Sequence, residues 1–206
     1  FILALSLNSL RHSRVLKSIF YLPYAFSATT TAVIFAFLLR KNGIPYIFSL
    51  LNIEELSSSW LQQPFINTIS MILASTWQSA GVNMVLFLVG LQAMPKEPVE
   101  AAMIDGATGW KMFTKITFPL LMPITSVVVL MAIVNSFKVF DIIWVMTGGG
   151  PYRSSETLAV SMYREAFMFN RYGYGSAIAM VISVIALAFS WGYMKILLAK
   201  GERQYE

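Results

Sequence analysis

The sequence contains no cysteine, a single histidine and few charged residues, and each shortage excludes a class of function. Without cysteine the chain can form neither a disulfide bond nor a thiolate metal site. His12 alone offers little material for a histidine-based metal centre or for acid–base catalysis. We therefore expect this chain not to be an enzyme and to hold no metal or cofactor of its own.

Charged residues make up only 12% of the 206 residues, whereas 57% are hydrophobic. A soluble domain carries roughly 25% charged residues. The mean hydropathy is +0.65, and the net charge of +5 is spread between apolar segments instead of forming a basic stripe. This distribution argues against nucleic-acid binding and predicts a membrane protein.

Four segments are long and apolar enough to cross a bilayer, which requires about 20 residues. They span residues 19–39, 65–91, 120–146 and 176–198. The opening stretch FILALSLNSL is apolar but shorter than a span. We read it as the end of a helix and expect an N-terminally truncated fragment. The prediction is an all-α, polytopic membrane helix bundle forming a single domain over 1–206, with four complete spans plus a partial one.

The basic residues at the ends of these segments predict the orientation. One side holds Arg11, Arg14, Lys17, Lys96, Lys111, Lys115, Lys195, Lys200 and Arg203, and the other holds Arg40, Lys41, Arg153, Arg164 and Arg171. The side with more Lys and Arg is expected to be cytoplasmic. Residues 92–119 are then cytoplasmic, and 41–64 and 147–175 lie outside.

The cytoplasmic stretch 92–119 predicts two short helices that meet at a glycine. Pro95 and Glu97 suit a helix start, where proline and negative charge are favoured. Gly106 and Gly109 interrupt the helix, and a second one follows. We expect a compact knob beyond the membrane surface. Its exposed side chains for docking are Glu100, Asp105, Lys111 and Lys115.

The spacing within this knob is more specific than its composition. The motif begins with Glu100, Ala101 and Ala102. Gly106 follows after three intervening residues and Ile116 after nine more, and Phe118 and Pro119 complete the pattern. This pattern resembles the EAA loop of binding-protein-dependent ABC importers, which has leucine where this chain has Phe118. The resemblance implies a coupling loop, formed by Glu100, Ala101, Ala102, Asp105, Gly106, Ile116 and Pro119, that docks on an ATPase subunit. An amphipathic helix on lipid headgroups is the alternative.

Further stretches are similar to the carbohydrate branch of these permeases: FYLPY at 20–24, VFD at 139–141 with VMTGGGP at 145–151, and GYGSA at 173–177. The likeness is greatest to the first permease of maltose-like and glycerol-phosphate-like systems. It implies a multi-pass protein of a bacterial or archaeal inner membrane that imports a sugar or polyol. The implied partners are a second permease, ABC ATPase subunits that carry ATP and Mg, and an extracytoplasmic solute-binding protein.

Ionisable groups within a span are costly and indicate function. Lys138 and Asp141 are three residues apart in the third predicted span, hence expected on one helical face. That face continues to Trp144, with Asn135 and Phe137 near it. An aromatic ring beside polar groups suits a sugar, so these five residues are the substrate-path candidates. Equally, Lys138 and Asp141 could pair with each other or reach the interface.

Polar residues in the second span, Trp77, Gln78 and Asn83, are expected to make interhelical hydrogen bonds. Other functions stay open at this point. A secondary transporter would need coupling-ion sites and internal repeats, and we find no convincing repeat. An ABC importer for a non-carbohydrate solute is a further alternative. The chain has no G-x-x-x-x-G-K-[ST] phosphate loop, so ATP binding is expected on a partner.

Overall fold

The computed structural model describes residues 2–9, 13–53 and 57–202, and within these ranges the chain is helical without a β-strand. This confirms the predicted all-α class. In chain order the helices are α1 (Ile2–Ser9), α2 (Ser13–Ala25), α3 (Ala28–Leu38), α4 (Ile44–Leu50), α5 (Ile66–Gln92), α6 (Lys96–Ile104), α7 (Gly109–Met112), α8 (Phe118–Leu120), α9 (Met122–Lys138), α10 (Asp141–Met146), α11 (Leu158–Tyr163) and α12 (Tyr172–Glu202).

Three short turns of other helix types complete the described chain. Residues Trp60–Gln62 form a 3₁₀ turn before α5. Phe113–Thr117 and Arg164–Met168 form π-helical turns, which continue α7 and α11 respectively. Such π turns occur at functional sites more often than elsewhere in helices.

Two of the helices are long and apolar enough to cross a membrane without a break, Ile66–Gln92 and Tyr172–Leu197. They coincide with the predicted spans 65–91 and 176–198. Two further pairs of consecutive helices are long enough to cross a membrane only if the two helices of each pair form one bent span. Arg14–Ala25 with Ala28–Leu38 is bent by 96°, and Gly109–Leu120 with Met122–Lys138 is bent by 71°.

The segment predicted as a first span, 19–39, is therefore divided into α2 and α3. Pro23 lies inside α2 and lacks the N–H that would extend the helical hydrogen-bond pattern. Ser27 then caps α3, because its side-chain oxygen accepts a hydrogen bond from the Thr30 N–H at 3.1 Å. Gln78 donates to the free carbonyl of Phe26 at 2.9 Å. This is the interhelical role expected of Gln78.

The chain forms two compact units, and α2, α5 and α9 each contribute residues to both. The first contains Phe1–Leu22 and Ala80–Ala132. Its core consists of Ala4, Leu7, Met84, Phe87 and Leu88. Gly90 permits close packing there, since a Cβ atom would lie 2.7 Å from the Ile124 side chain.

The second unit contains Pro23–Ser79 and Ile133–Glu206. Its core consists of Ala32, Ala36, Leu39, Met71, Ala74, Ile142, Ile143, Met146 and Val160. Three of these are alanines, and small side chains let helix backbones approach closely, as in membrane helix bundles. The core joins α3, α5, α10 and α11.

Candidate functional site

The predicted coupling loop lies in the first unit and begins with α6. Pro95 occupies the N-cap position of this helix without a side-chain capping hydrogen bond, and Glu97 lies in its first turn. The helix ends at Ile104, and Gly106 follows in a left-handed conformation with a φ of +76°. Glycine adopts this conformation at little cost because it has no Cβ atom.

Two hydrogen bonds fix the turn at Gly106. The N–H of Ala107 donates to the Ala102 carbonyl at 2.8 Å, and the N–H of Gly106 donates to the Met103 carbonyl at 3.1 Å. This pair of bonds is the Schellman motif that ends helices at glycine. The sequence prediction of two short helices meeting at a glycine describes this geometry well.

The second helical stretch of the loop runs through α7, a π-helical turn and α8. Pro119 lies within α8, and the chain then bends by 71° at Leu121 into α9. Ile116 and Pro119 are partly buried. Phe113 packs between Trp110 and Phe118, with ring centroids 5.2 and 6.1 Å apart.

The loop presents an apolar surface that the sequence analysis did not identify. Ala102 is buried, so the adjacent Met103 and Ile104 face outward, with 60% and 88% of their surface exposed. Trp110 is 76% exposed. The predicted docking side chains Glu100, Asp105, Lys111 and Lys115 are exposed as well, and so are Ala101 and Gly106 of the coupling loop. Large exposed apolar side chains beside charged ones indicate a surface for a partner.

The predicted substrate-path residues lie in the second unit around a break in the helix. α9 ends at Lys138, Phe140 has a φ of −130° outside the helical range, and α10 starts at Asp141. Lys138 and Asp141 therefore do not share one continuous helical face, which corrects the sequence analysis. The Thr157 hydroxyl donates to the Val139 carbonyl at 3.1 Å and so satisfies a backbone group freed by the break.

Beside this break lies a cavity of about 390 Å³ within the second unit. Phe137 and Lys138 line it, whereas Asn135, Asp141 and Trp144 do not. No ion pair joins Lys138 to Asp141 in the described parts of the chain. The residues that line the cavity are Phe137, Lys138, Phe140, Ala159, Met162, Tyr163, Ala179, Ile182 and Ser183.

Aromatic rings form the wall of this cavity. Phe140 stacks on Trp144 at 5.7 Å between centroids, and Tyr163 lies 5.0 Å from both rings. Trp144 thus packs against both wall residues, Phe140 and Tyr163, without lining the cavity itself. Tyr163 was not predicted because α11 lies within 147–175, a segment with five charged residues that was expected to be an outer loop. Val160 of α11 is nevertheless fully buried, and buried aliphatic residues within a charged segment are the signal that could have identified this helix.

The loop between α10 and α11 is held by side chains from several elements. Gly148 and Gly149 have φ values of +61° and +89°. The fully buried Asn67 donates from its amide to the Gly150 carbonyl at 2.7 Å and to the Ser154 hydroxyl at 3.0 Å. Thr147 and Ser155 share a hydrogen bond of 3.0 Å. The loop therefore has a defined shape.

Glu156 connects this loop to α11 and the following turn. Its carboxylate accepts from the Arg153 guanidinium, from Arg164 at 2.7 Å and from the Ser161 hydroxyl at 2.7 Å. Arg164 also donates to the Gly148 carbonyl at 2.7 Å. The Glu156 side chain is 5% exposed. Hydrogen bonding by Arg153 is the largest of the effects that lower the pKa of Glu156 to about 2.

The family profile for the binding-protein-dependent transport system inner membrane component matches residues 1–202. The chain belongs to this family. Among the residues that the structure describes, no group of His, Cys, Asp and Glu side chains could hold a metal ion.

Relatives within the family include permeases of archaea and bacteria. A probable ABC transporter permease protein of Pyrococcus horikoshii is 35% identical over 180 residues, which cover 86% of this chain and 62% of that protein. The multiple sugar-binding transport system permease protein of Streptococcus mutans is 34% identical over 206 residues, 100% of this chain and 69% of that protein. The chain thus spans less than two thirds of the length of the Pyrococcus protein.

A solved structure shows the same fold. The crystal structure of a bacterial ABC transporter involved in the import of the acidic polysaccharide alginate matches with a TM-score of 0.85. The match covers 95% of this chain and 70% of that one, at 24% sequence identity. The helices of this chain are therefore arranged as in an ABC importer permease.

Replacement of Glu156 by glutamine is expected to destabilise this family member in a pH-dependent way. The substitution leaves Arg164 without its carboxylate, which costs about 1–3 kcal/mol and lowers the melting temperature by a few degrees. Because the pKa of Glu156 is lowered in the folded state, its carboxylate stabilises that state at pH values above the ordinary carboxyl pKa. This stabilisation is lost as the pH falls toward 2. The difference between wild type and variant should therefore be constant between pH 5 and 8 and shrink below about pH 4.5.

Tryptophan fluorescence during thermal unfolding of the detergent-purified protein measures this difference. Glu165→Gln is the matched control, because Glu165 makes one ion pair with Arg171 at 3.5 Å and should contribute less. Equal melting temperatures for Glu156→Gln and wild type at pH 7 would contradict the role given to Glu156.

Proposed function

We propose that this chain is a permease subunit of an ATP-driven importer for a sugar or a related polyol. It spans a bacterial or archaeal inner membrane and forms the translocation path with a second permease. The observation that carries the proposal is the knob of residues 92–119, whose two helical stretches meet at Gly106 and which exposes Met103, Ile104 and Trp110. Such a surface fits docking on a separate motor protein.

The proposed topology has four spans in one permease domain, with 92–119 on the cytoplasmic side. α2 and α3 together make the first span, α5 the second, α9 and α10 the third and α12 the fourth. The Lys and Arg distribution supports this orientation. The coupling loop then faces the compartment in which ATP is available.

Coupling would proceed through α9, which starts directly after the coupling loop and ends at the cavity. It has 17 residues, which corresponds to about 25 Å at 1.5 Å per residue. ATP and Mg bind to the partner ATPase subunits, whose closure moves Glu100, Asp105, Gly106 and the rest of the loop. That displacement would switch the packing of the helices around the solute.

The cavity beside the α9–α10 break supports a carbohydrate solute. Sugar rings stack their C–H faces on aromatic side chains while their hydroxyl groups need polar partners. Phe137, Phe140 and Tyr163 supply the rings, and Lys138 and Ser183 supply polar groups. The relative from Streptococcus mutans is named for multiple sugar-binding transport. An extracytoplasmic solute-binding protein would deliver the solute, as the family description indicates.

ATP-dependent uptake tests the proposal. Cells that carry the complete transport system should take up a labelled member of a panel of mono-, di- and oligosaccharides and glycerol phosphate. Deletion of the ATPase gene should reduce that uptake to background. Uptake that persists without the ATPase would identify a secondary transporter instead, and an importer that accepts none of the panel would exclude the carbohydrate assignment.

A further inference from the structure

The net charge of the chain arises in its first 53 residues. The sequence has 15 Lys and Arg against 10 Asp and Glu. No acidic residue precedes Glu54, so the ten basic and ten acidic residues after residue 53 cancel each other. The excess consists of Arg11, Arg14, Lys17, Arg40 and Lys41. Three of these five lie within the seven residues 11–17, where α2 begins, and the proposed topology places that end of α2 on the cytoplasmic side.

One side of α2 carries the basic residues. Arg14 and Lys17 are three residues apart, and Tyr21 and Tyr24 continue that side at helical spacing. Arg14 is exposed and Lys17 is partly exposed. Long basic side chains and tyrosine rings are enriched where a helix meets the membrane–water interface, because their polar ends reach the headgroups. This side of α2 therefore suits the level of the lipid headgroups.

A second side of α2 is apolar and exposed. It consists of Val15, Ile19 and Leu22, which are spaced by four and three residues along the helix. Their side chains are 68%, 56% and 57% exposed. A helix with a basic side next to an apolar side is typical of segments that bind the surface of anionic membranes.

The remaining side of α2 is held by α5. A Cβ atom at Gly81 would lie 2.6 Å from the Phe20 carbonyl oxygen and 2.8 Å from the Cα atom of Tyr21. The two helix backbones therefore approach each other as closely as only glycine permits. Because this contact fixes α2 within the first unit, the basic and apolar sides of the helix have a defined position there.

Within the described residues, the positive charge at the start of α2 is not neutralised. In ranges 2–9, 13–53 and 57–202, neither Arg14 nor Lys17 forms an ion pair. The first turn of α2 contains no acidic residue, although the helix dipole favours negative charge at that end and disfavours positive charge. The two basic residues thus lie where they do not stabilise their own helix, and an anion from outside the chain would compensate them.

Four acidic residues have side chains outside the described part of the chain. Glu54 and Glu55 belong to 41–64, which the proposed topology places on the other side of the membrane from Arg14. Glu202 and Glu206 share the C-terminal stretch 200–206 with two basic residues, so that stretch carries no excess of negative charge. The sequence therefore offers Arg14 no concentrated acidic partner.

We propose that the start of α2 is a binding site for an anionic phospholipid. Arg14 and Lys17 hold the headgroup phosphate, which Arg14 binds with paired hydrogen bonds. Val15, Ile19 and Leu22 contact the acyl chains beside it. A phospholipid joins a phosphate to long apolar chains and so matches the two adjoining sides of the helix, whereas a free phosphate leaves the apolar side uncovered. The site makes the protein sensitive to the anionic lipid content of its membrane.

Native mass spectrometry of the complete, detergent-purified importer tests the proposal, with phosphatidylglycerol as the probe. Arg14→Gln with Lys17→Gln should weaken the binding of the most tightly held phosphatidylglycerol about 30-fold, since each basic residue near an anionic lipid contributes about fivefold in affinity. Phosphatidylcholine, which has no net charge, should bind equally to both proteins. Inorganic phosphate should not displace phosphatidylglycerol from the wild type, because it lacks acyl chains. Displacement by phosphate would make this a phosphate site and overturn the lipid assignment.

Matched variants separate a defined site from a general effect of charge. Arg40→Gln with Lys41→Gln removes the same two charges beyond the other end of the proposed first span and should leave lipid binding unchanged. Arg14→Lys with Lys17→Arg keeps both charges and should preserve binding. All variants should unfold at the wild-type temperature, because none of the four side chains is buried.

Equal affinity of phosphatidylglycerol for the wild type and the Arg14/Lys17 glutamine variant overturns the proposal, and so does an equal loss in the Arg40/Lys41 variant. Unchanged lipid binding together with loss of the ATPase from the complex would assign the basic side of α2 to that partner instead. Because lipid binding is measured without transport, each of these outcomes leaves the proposed import function intact.

Discussion

Aspartate in place of Ile104 is expected to abolish ATP-driven uptake while the amount of protein in the membrane stays the same. Because the Ile104 side chain is 88% exposed, it contributes little to the fold of the coupling loop. In a complex with the ATPase the same position would be buried. An unpaired carboxylate there costs at least about 2 kcal/mol, which corresponds to roughly a 30-fold loss of affinity.

Two measurements check this expectation: uptake of the labelled solute, and co-purification of the ATPase with the tagged permease. Both should fall together in Ile104→Asp. Ile104→Leu is the matched control, since it retains an apolar side chain of the same volume and should retain uptake. Normal uptake by the aspartate variant would show that the exposed end of α6 is not a docking surface.

The unbroken helices were predictable from the sequence, and the breaks only in part. α5 and α12 follow from apolar runs without proline, and both begin and end close to the predicted limits. The break between α2 and α3 has local signals, Pro23 and Ser27, that the span prediction passed over. Such signals compete with the apolar run, and here the capping hydrogen bonds of Ser27 and Gln78 decide the outcome.

The break between α9 and α10 has no comparable signal. Residues 138–141 contain neither glycine nor proline. Contacts from distant parts of the chain stabilise it: Thr157 bonds to the Val139 carbonyl, and Tyr163 packs against Phe140. Pattern reasoning within one segment cannot detect such contacts. The assumption of one continuous helix placed Lys138 and Asp141 on a common face for this reason.

Within the coupling loop, the sequence indicated the turn but not the orientation of the helix. Gly106 is the local cause of the turn, so its position in the sequence was sufficient. α6 has only nine residues, too few for a clear apolar periodicity. Burial of the small Ala102, instead of the larger Met103 or Ile104, sets which side faces outward. The role of these residues in coupling stays a prediction that Ile104→Asp addresses.

Phenylalanine in place of Ala179 is expected to reduce uptake at least tenfold by filling the cavity next to Tyr163 and Lys138. Ala179 lies on α12 and lines the 390 Å³ cavity. A ring at this position occupies the space in which a sugar would stack on Phe140. Because the substitution lies far along the sequence from the coupling loop, ATPase binding should persist and basal ATP hydrolysis should remain measurable.

Overpacking can itself destabilise a protein by about 1–3 kcal/mol, so the variant needs a control for folding. Met180→Phe adds the same ring at the next position of α12, where the side chain is 71% exposed and does not line the cavity. Both variants should show similar expression and melting temperatures, but only Ala179→Phe should block uptake. Wild-type uptake by a correctly folded Ala179→Phe importer would place the solute path elsewhere. Equal loss in both variants would assign the effect to α12 packing, because a ring on the outer face cannot obstruct the cavity.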